Sequence, residues 1–231
     1  NFDPTFVPYA SIRYPVYANR GMVAASSPQA SAAGLSVLQK GGNAADAAVA
    51  TAAALTVAEP TANGIGSDAF ALVWIQKDKK LYGLNGSGWS PRDISMEKVL
   101  AQNPEGGSMP TYGWTPTMVP GAPKAWAALS RRFGRLSLSE ALAPAVDYAR
   151  HGYPASPSLS RMWKLALSRY SRMKDRPEFA EWFKTFAPNG EAPGAGSLVK
   201  LPNHADTLEK IGASYAEEFY KGSLAERIVS D

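Results

Sequence analysis

Gly41-Gly42-Asn43-Ala44-Ala45-Asp46-Ala47-Ala48-Val49-Ala50-Thr51-Ala52-Ala53-Ala54-Leu55-Thr56-Val57-Ala58-Glu59-Pro60 decides how the rest of the chain is read. Glycine pairs end helices, asparagine starts them and proline stops them, so the stretch predicts a helix opened by Asn43 and closed after Glu59. It is apolar nearly all round and built mostly from alanine. A helix of that kind is buried, and its small side chains let a neighbour come close. The expectation is a core helix packed against a sheet, with Ala48 and Ala52 at the contact. Asp46, Thr51 and Thr56 interrupt it, so it is too short and too weakly apolar to span a bilayer.

Upstream, Ser27-Pro28 reads as an N-cap followed by proline at the first helical position. Ala30, Ala33, Gly34, Val37 and Leu38 then recur on one helical face. Gly21 to Ala25 is a short strand candidate. Residues 1–20, with Pro4, Pro8 and Pro15 among five aromatics, read as an extended arm. Downstream, Asn63-Gly64-Ile65-Gly66 signals a turn. Ala69 to Gln76 and Leu81 to Leu84, joined by Lys77-Asp78-Lys79-Lys80, predict a β-hairpin. Both strands are apolar on both faces, which implies a sheet covered on both sides. Helices are expected at Lys124–Phe133, Ser139–Arg150, Ser158–Arg172, Pro177–Phe186 and His204–Gly212. Ala216–Val229 adds another with a turn at Lys221-Gly222, and 187–203 is a Pro/Gly-rich loop. There is no βαβ rhythm. The reading is α/β, with 1–231 forming one domain portion.

Composition excludes several kinds of chemistry. The 231 residues contain no cysteine, which rules out disulfides, thiolate metal sites and a cysteine nucleophile. The formal charge of +4 is mild and dispersed, so neither nucleic acid nor membrane is expected as a partner. The basic run Arg161, Lys164, Arg169, Arg172, Lys174 and Arg176, interleaved with Trp163 and Tyr170, is read as a solvated helix face rather than an RNA surface. His151 is expected to cap a helix end, and His204 to lie at a helix start. They make no metal-ligand pair, and no Walker or dinucleotide motif is present, so neither metal nor cofactor is expected. No catalytic residue is assigned. From the residues alone, the reading stops at an α/β domain without a self-contained active site.

The order of several blocks carries further information. Arg20-Gly21-Met22-Val23-Ala24 and Gly41 to Ala48 are followed by Glu59-Pro60, then Gly64-Ile65-Gly66-Ser67-Asp68-Ala69-Phe70. Val119-Pro120-Gly121, Ala149-Arg150-His151-Gly152-Tyr153, the stretch Ala195 to Lys210, Phe219-Tyr220-Lys221-Gly222 and Leu224-Ala225-Glu226-Arg227-Ile228 complete the set. Together they resemble the larger, nucleophile-free portion of the γ-glutamyltranspeptidase family. That resemblance implies a four-layer αββα sandwich of the N-terminal-nucleophile hydrolases, completed by a second segment. It also implies a zymogen that cuts itself before a threonine. The freed threonine supplies a nucleophilic hydroxyl and, through its α-amine, the base. The expected partner is thus a small subunit from the same precursor, forming a heterodimer, with further sequence following Asp231.

One departure bears on the substrate. True γ-glutamyl enzymes grip the substrate carboxylate with an arginine in a D-F-R-E-M-A-P-like motif. This chain reads Asn85-Gly86-Ser87-Gly88-Trp89-Ser90-Pro91. With the prolines aligned, the arginine falls on Ser87, and a neutral serine cannot replace a bidentate guanidinium clamp. Ser87 and Trp89 are therefore the candidate substrate-binding residues, Trp89 adding an apolar wall. A second departure is Ser67-Asp68, where transpeptidases carry more glycine. The pattern is more similar to the acylase-like and oxamate-amidohydrolase-like branch, which implies hydrolysis of a small acidic amide, oxamate-like or a short acyl-amide. The alternatives are a true γ-glutamyl hydrolase or transpeptidase, and a non-catalytic homologue acting as a binding module. A cytoplasmic location is expected, with secretion or the periplasm left open.

Overall fold

The structure is a computed structural model that describes residues 16–102 and 108–230. Two helices open it, α1 (Pro28–Gln39) and α2 (Ala44–Ala58). Their boundaries follow the sequence signals. Gly41 adopts φ +93° after α1, and the Asn43 side chain accepts the Ala45 and Asp46 N–H groups at the start of α2. Asp46 Oδ2 accepts the Asn43 N–H in return at 2.9 Å, which closes a capping box.

Asp46 also holds distant chain. It is fully buried, and Oδ2 accepts N–H groups from Arg135 at 2.9 Å and Leu136 at 3.4 Å. The Asn43 amide donates to the Phe133 carbonyl at 2.5 Å. The first turn of α2 thus fixes the end of α4 (Ala122–Phe133) and the start of α5 (Leu138–His151). A second capping box, Ser137 with Glu140, opens α5, and its two bonds from Ser137 hold the exposed Glu140 carboxyl below its usual range.

Helix α2 packs on α1, α4 and α5, not on a sheet. Gly34 on α1 is the reason. A Cβ there would sit 2.3 Å from Thr51 Oγ1 and 3.1 Å from the Ala47 carbonyl, so the two helices cross closer than any side chain would allow. Ala47, Ala50, Ala53, Ala54 and Val57 fill these helix contacts. Ala48, expected at a sheet contact, is exposed, and Ala52 is half-buried.

The hairpin forms as expected, from β1 (Ala69–Ile75) and β2 (Lys80–Gly86), antiparallel with Val73 opposite Tyr82. It leans on α4 with one face, through Val73, Tyr82 and Leu84. Its other face is bare among the described residues, with Phe70 64%, Leu72 77%, Trp74 53% and Leu81 55% exposed. The expectation of a sheet covered on both sides is thus met on one side only.

Three further differences are local. Gly21–Ala25 forms no strand, since no hydrogen-bonded partner strand lies beside it among the described residues; it runs instead against α1 near Leu38 and Gly34. A short helix α3 (Met96–Gln102) was not foreseen; its first turn is capped by Ser95 Oγ accepting the Lys98 N–H. The 187–203 loop contains a two-residue strand that pairs Leu198–Val199 with Tyr153–Pro154. The expected arm lies outside the described residues up to residue 15, and residues 16–20 are exposed without regular structure.

The remaining helices are α6 (Pro157–Tyr170), α7 (Ala180–Phe186), α8 (Pro202–Ser214), α9 (Glu217–Lys221) and α10 (Ser223–Ser230). Among the described residues no helix is long and apolar enough to cross a membrane.

Candidate functional site

Ser87 and Trp89 sit on the turn that leaves β2, at the end of the hairpin nearest the start of α4. The Ser87 N–H donates to Asn85 Oδ1 at 3.0 Å, so asparagine, not the serine hydroxyl, satisfies the turn. The hydroxyl itself has no hydrogen-bond partner among the described residues. Ser87 is half-buried, and Trp89 is 83% exposed.

The turn is clasped by residues 119–121. The Val119 N–H donates to the Trp89 carbonyl at 2.8 Å. Gly88 adopts φ +80°, and a Cβ there would fall 1.9 Å from the Val119 carbonyl oxygen. A Cβ on Gly121 would fall equally close to the Gly86 carbonyl oxygen. Two backbone segments therefore touch where side chains are excluded. Behind them, the Ser67 carbonyl accepts the N–H groups of Gly121 and Ala122 at 3.1 and 3.0 Å. The Ser67-Asp68 turn, the 86–89 turn and the 119–122 loop thus converge. The sequence named all three as separate blocks, but only the structure shows them in contact.

The other candidates lie elsewhere. His151 is exposed at the last turn of α5, and its Nδ1 meets Asp147 Oδ1 at 2.7 Å rather than capping a carbonyl. His204 is half-buried in α8, edge-on to Phe186, and burial pushes its pKa below the usual imidazole value. The basic run splits by face. Arg161, Lys164, Arg169 and Arg172 are exposed. Trp163 is buried and donates to the Phe186 carbonyl at 2.8 Å, and Tyr170 stacks edge-on with Trp182 at 4.7 Å. The interleaving in sequence therefore gives no mixed stacking surface.

Two clefts, of about 410 and 610 Å³, lie beside Trp163 and Phe186 and between α5 and α8; neither is lined by Ser87 or Trp89. Among the described residues no group of three or more His, Asp or Glu is placed to hold a metal ion.

The architecture of a helical layer on one face of a hairpin is shared with solved structures. A cephalosporin acylase from Bacillus halodurans superposes with a TM-score of 0.92 at 52% identity, over 98% of this chain and 42% of that one. The fold is thus that of the N-terminal-nucleophile amide hydrolases, over part of their larger subunit. The family model described as gamma-glutamyltranspeptidase matches residues 30–231, and the chain belongs to that family. A Bacillus subtilis glutathione hydrolase-like YwrD proenzyme is 35% identical over 93% of this chain and 39% of its own length. An oxamate amidohydrolase proenzyme from Klebsiella pneumoniae is 32% identical over 90% and 38%. The chain therefore spans well under half the length of these relatives.

Proposed function

We propose that this chain is the substrate-facing part of a self-processing amidohydrolase that acts on a small acidic amide, oxamate-like or a short acyl-amide. The nucleophile is an N-terminal threonine on a second segment of the same precursor, released by the cut as a small subunit. Its hydroxyl attacks the amide carbonyl while its α-amine takes the hydroxyl proton and hands it to the leaving amine. Water then hydrolyses the acyl ester and restores the threonine. Relatives that carry the word proenzyme in their names support self-cleavage. The bare apolar face of the hairpin supports a further layer laid on it.

The observation that carries the substrate reading is Ser87. It stands where the family resemblance places a carboxylate-gripping arginine, it is neutral, its hydroxyl is unengaged among the described residues, and an exposed Trp89 lies beside it. Such a turn favours acyl groups without an α-amino acid end. The test is kinetic: the full-length protein should cleave oxamate or a short acyl-amide with higher kcat/KM than γ-glutamyl-p-nitroanilide. The reverse preference would refute the substrate reading.

A second reading, a γ-glutamyl hydrolase, draws on the glutathione hydrolase-like relative and on Arg92. That arginine is exposed and has no acidic partner among the described residues, five positions from Ser87. If Arg92→Ala abolishes cleavage of a γ-glutamyl amide, this second reading holds.

A further inference from the structure

We propose that Tyr220 is a positioning residue that sets the place of the Ser87–Trp89 turn; this rests on reading that turn as part of the substrate site. Tyr220 lies on α9, 131 positions beyond Trp89 by subtraction of their numbers, in a helix otherwise packed on α8 and α10. Its hydroxyl leaves that neighbourhood. It donates to the Pro120 carbonyl at 2.6 Å and accepts the Lys124 N–H at 3.2 Å.

Pro120 belongs to the loop that clasps the turn, and Lys124 to the helix that follows it. Lys124 lies in the first turn of α4, where an N–H has no partner within the helix, so the phenol supplies one. Pro120 stands between Val119, which donates to the Trp89 carbonyl, and Gly121, which abuts Gly86. The loop is therefore held from two sides: the Ser67 carbonyl binds Gly121 and Ala122, and the Tyr220 hydroxyl binds Pro120 and Lys124.

The fit leaves little slack. With the Gly121 and Gly88 positions of Cβ each 1.9 Å from a carbonyl oxygen, the loop cannot shift toward the turn without collision. It can only retreat, and Val119 would then draw on Trp89. Removing the hydroxyl frees one side of the clasp. Burial pushes the Tyr220 phenol above its usual pKa, while the Lys124 N–H pulls it back, so the hydroxyl keeps its proton and donates at neutral pH.

The test uses the full-length protein with Tyr220→Phe, which keeps the ring against the buried Phe219 and removes only the hydroxyl. Hydrogen exchange of the Val119 N–H, which donates to the Trp89 carbonyl, should quicken roughly fivefold or more, the size expected for loss of one ordinary hydrogen bond. In kinetics with the preferred acyl amide, KM should rise several-fold with kcat changed less than about twofold, since a misplacement of ~1 Å at a distance weakens binding geometry. Trp89→Ala should then lose most of its own effect in the Tyr220→Phe background.

Unchanged exchange at Val119, additive effects of the two substitutions, or a Tyr220→Phe protein that fails to fold would each overturn the assignment, the last by making Tyr220 a support of the fold alone. Should the wild-type protein cleave no amide at all, the proposed function falls, and the exchange measurement still decides the role of Tyr220.

Discussion

Ser87→Arg puts back the charge that the family resemblance expects and the chain lacks. The structure makes the exchange a clean one. The Ser87 N–H is already engaged by Asn85, its hydroxyl has no hydrogen-bond partner among the described residues, and the clasp at Gly88 and Gly121 is made by backbone. The substitution therefore removes no side-chain hydrogen bond among the described residues. A charge-assisted hydrogen bond contributes about 1.5–3 kcal/mol, whereas an exposed ion pair contributes about 0–1 kcal/mol. Position 87 is half-buried, which places the gain near the lower end of the first range, about 1.5 kcal/mol. At ~1.4 kcal/mol per decade that is roughly tenfold in kcat/KM. The assay compares γ-glutamyl-p-nitroanilide with oxamate and glutaryl amides on the wild-type and substituted full-length proteins. A rise is expected for the γ-glutamyl and glutaryl substrates, which end in the same carboxylate, and not for oxamate, whose carboxylate is bonded to the scissile carbonyl. If all substrates respond alike or none changes, Ser87 does not border the pocket.

Asp46→Ala should destabilise the full-length protein by about 3–5 kcal/mol in urea unfolding, because two 2.9 Å bonds from Asn43 and Arg135 lose their buried acceptor. Asp46→Asn, which keeps an oxygen there, should cost less than half as much; equal losses would show that the box matters only by charge. His204 gives a pH dependence. Its folded pKa lies below the unfolded value of about 6.5, so the unfolded chain binds the extra proton and stability falls as pH drops below ~6.5 toward the folded pKa. Melting temperatures of wild type and His204→Phe between pH 7.5 and 5.5 should diverge, and parallel curves would contradict burial as the cause. Residues 1–231 on their own should show no amidase activity and should bind an apolar dye at the Phe70, Leu72 and Trp74 face; a cooperative melt with full activity would refute this.

Local signals mark helix ends well because each rests on one residue's chemistry. Asn43, Pro60, Gly134 and Gly152 stand where the helices begin or end. The hairpin was legible for the same reason, from a β-prone run and a charged turn. Neighbours across the fold were not. The alanines of α2 pointed to close packing but not to its partner, which Gly34 on α1 determines by letting a helix in. Apolar strand faces pointed to two covering layers, and only the α4 side is covered among the described residues. At the site, Ser87 and Trp89 were found through a departure from a family pattern. The clasp of Val119 and Gly121, and the hydroxyl of Tyr220, join residues thirty or more and about a hundred positions apart, and no spacing rule reaches that far.

The central claim is that this chain works as one product of a self-cleaving precursor. The most direct measurement is intact mass, with N-terminal sequencing, of the purified full-length protein. Two chains, with threonine first on the smaller one, are predicted, together with loss of both cleavage and amidase activity when that threonine is replaced by alanine. A single uncut chain with full amidase activity, or a cut that exposes some other residue, would contradict the account.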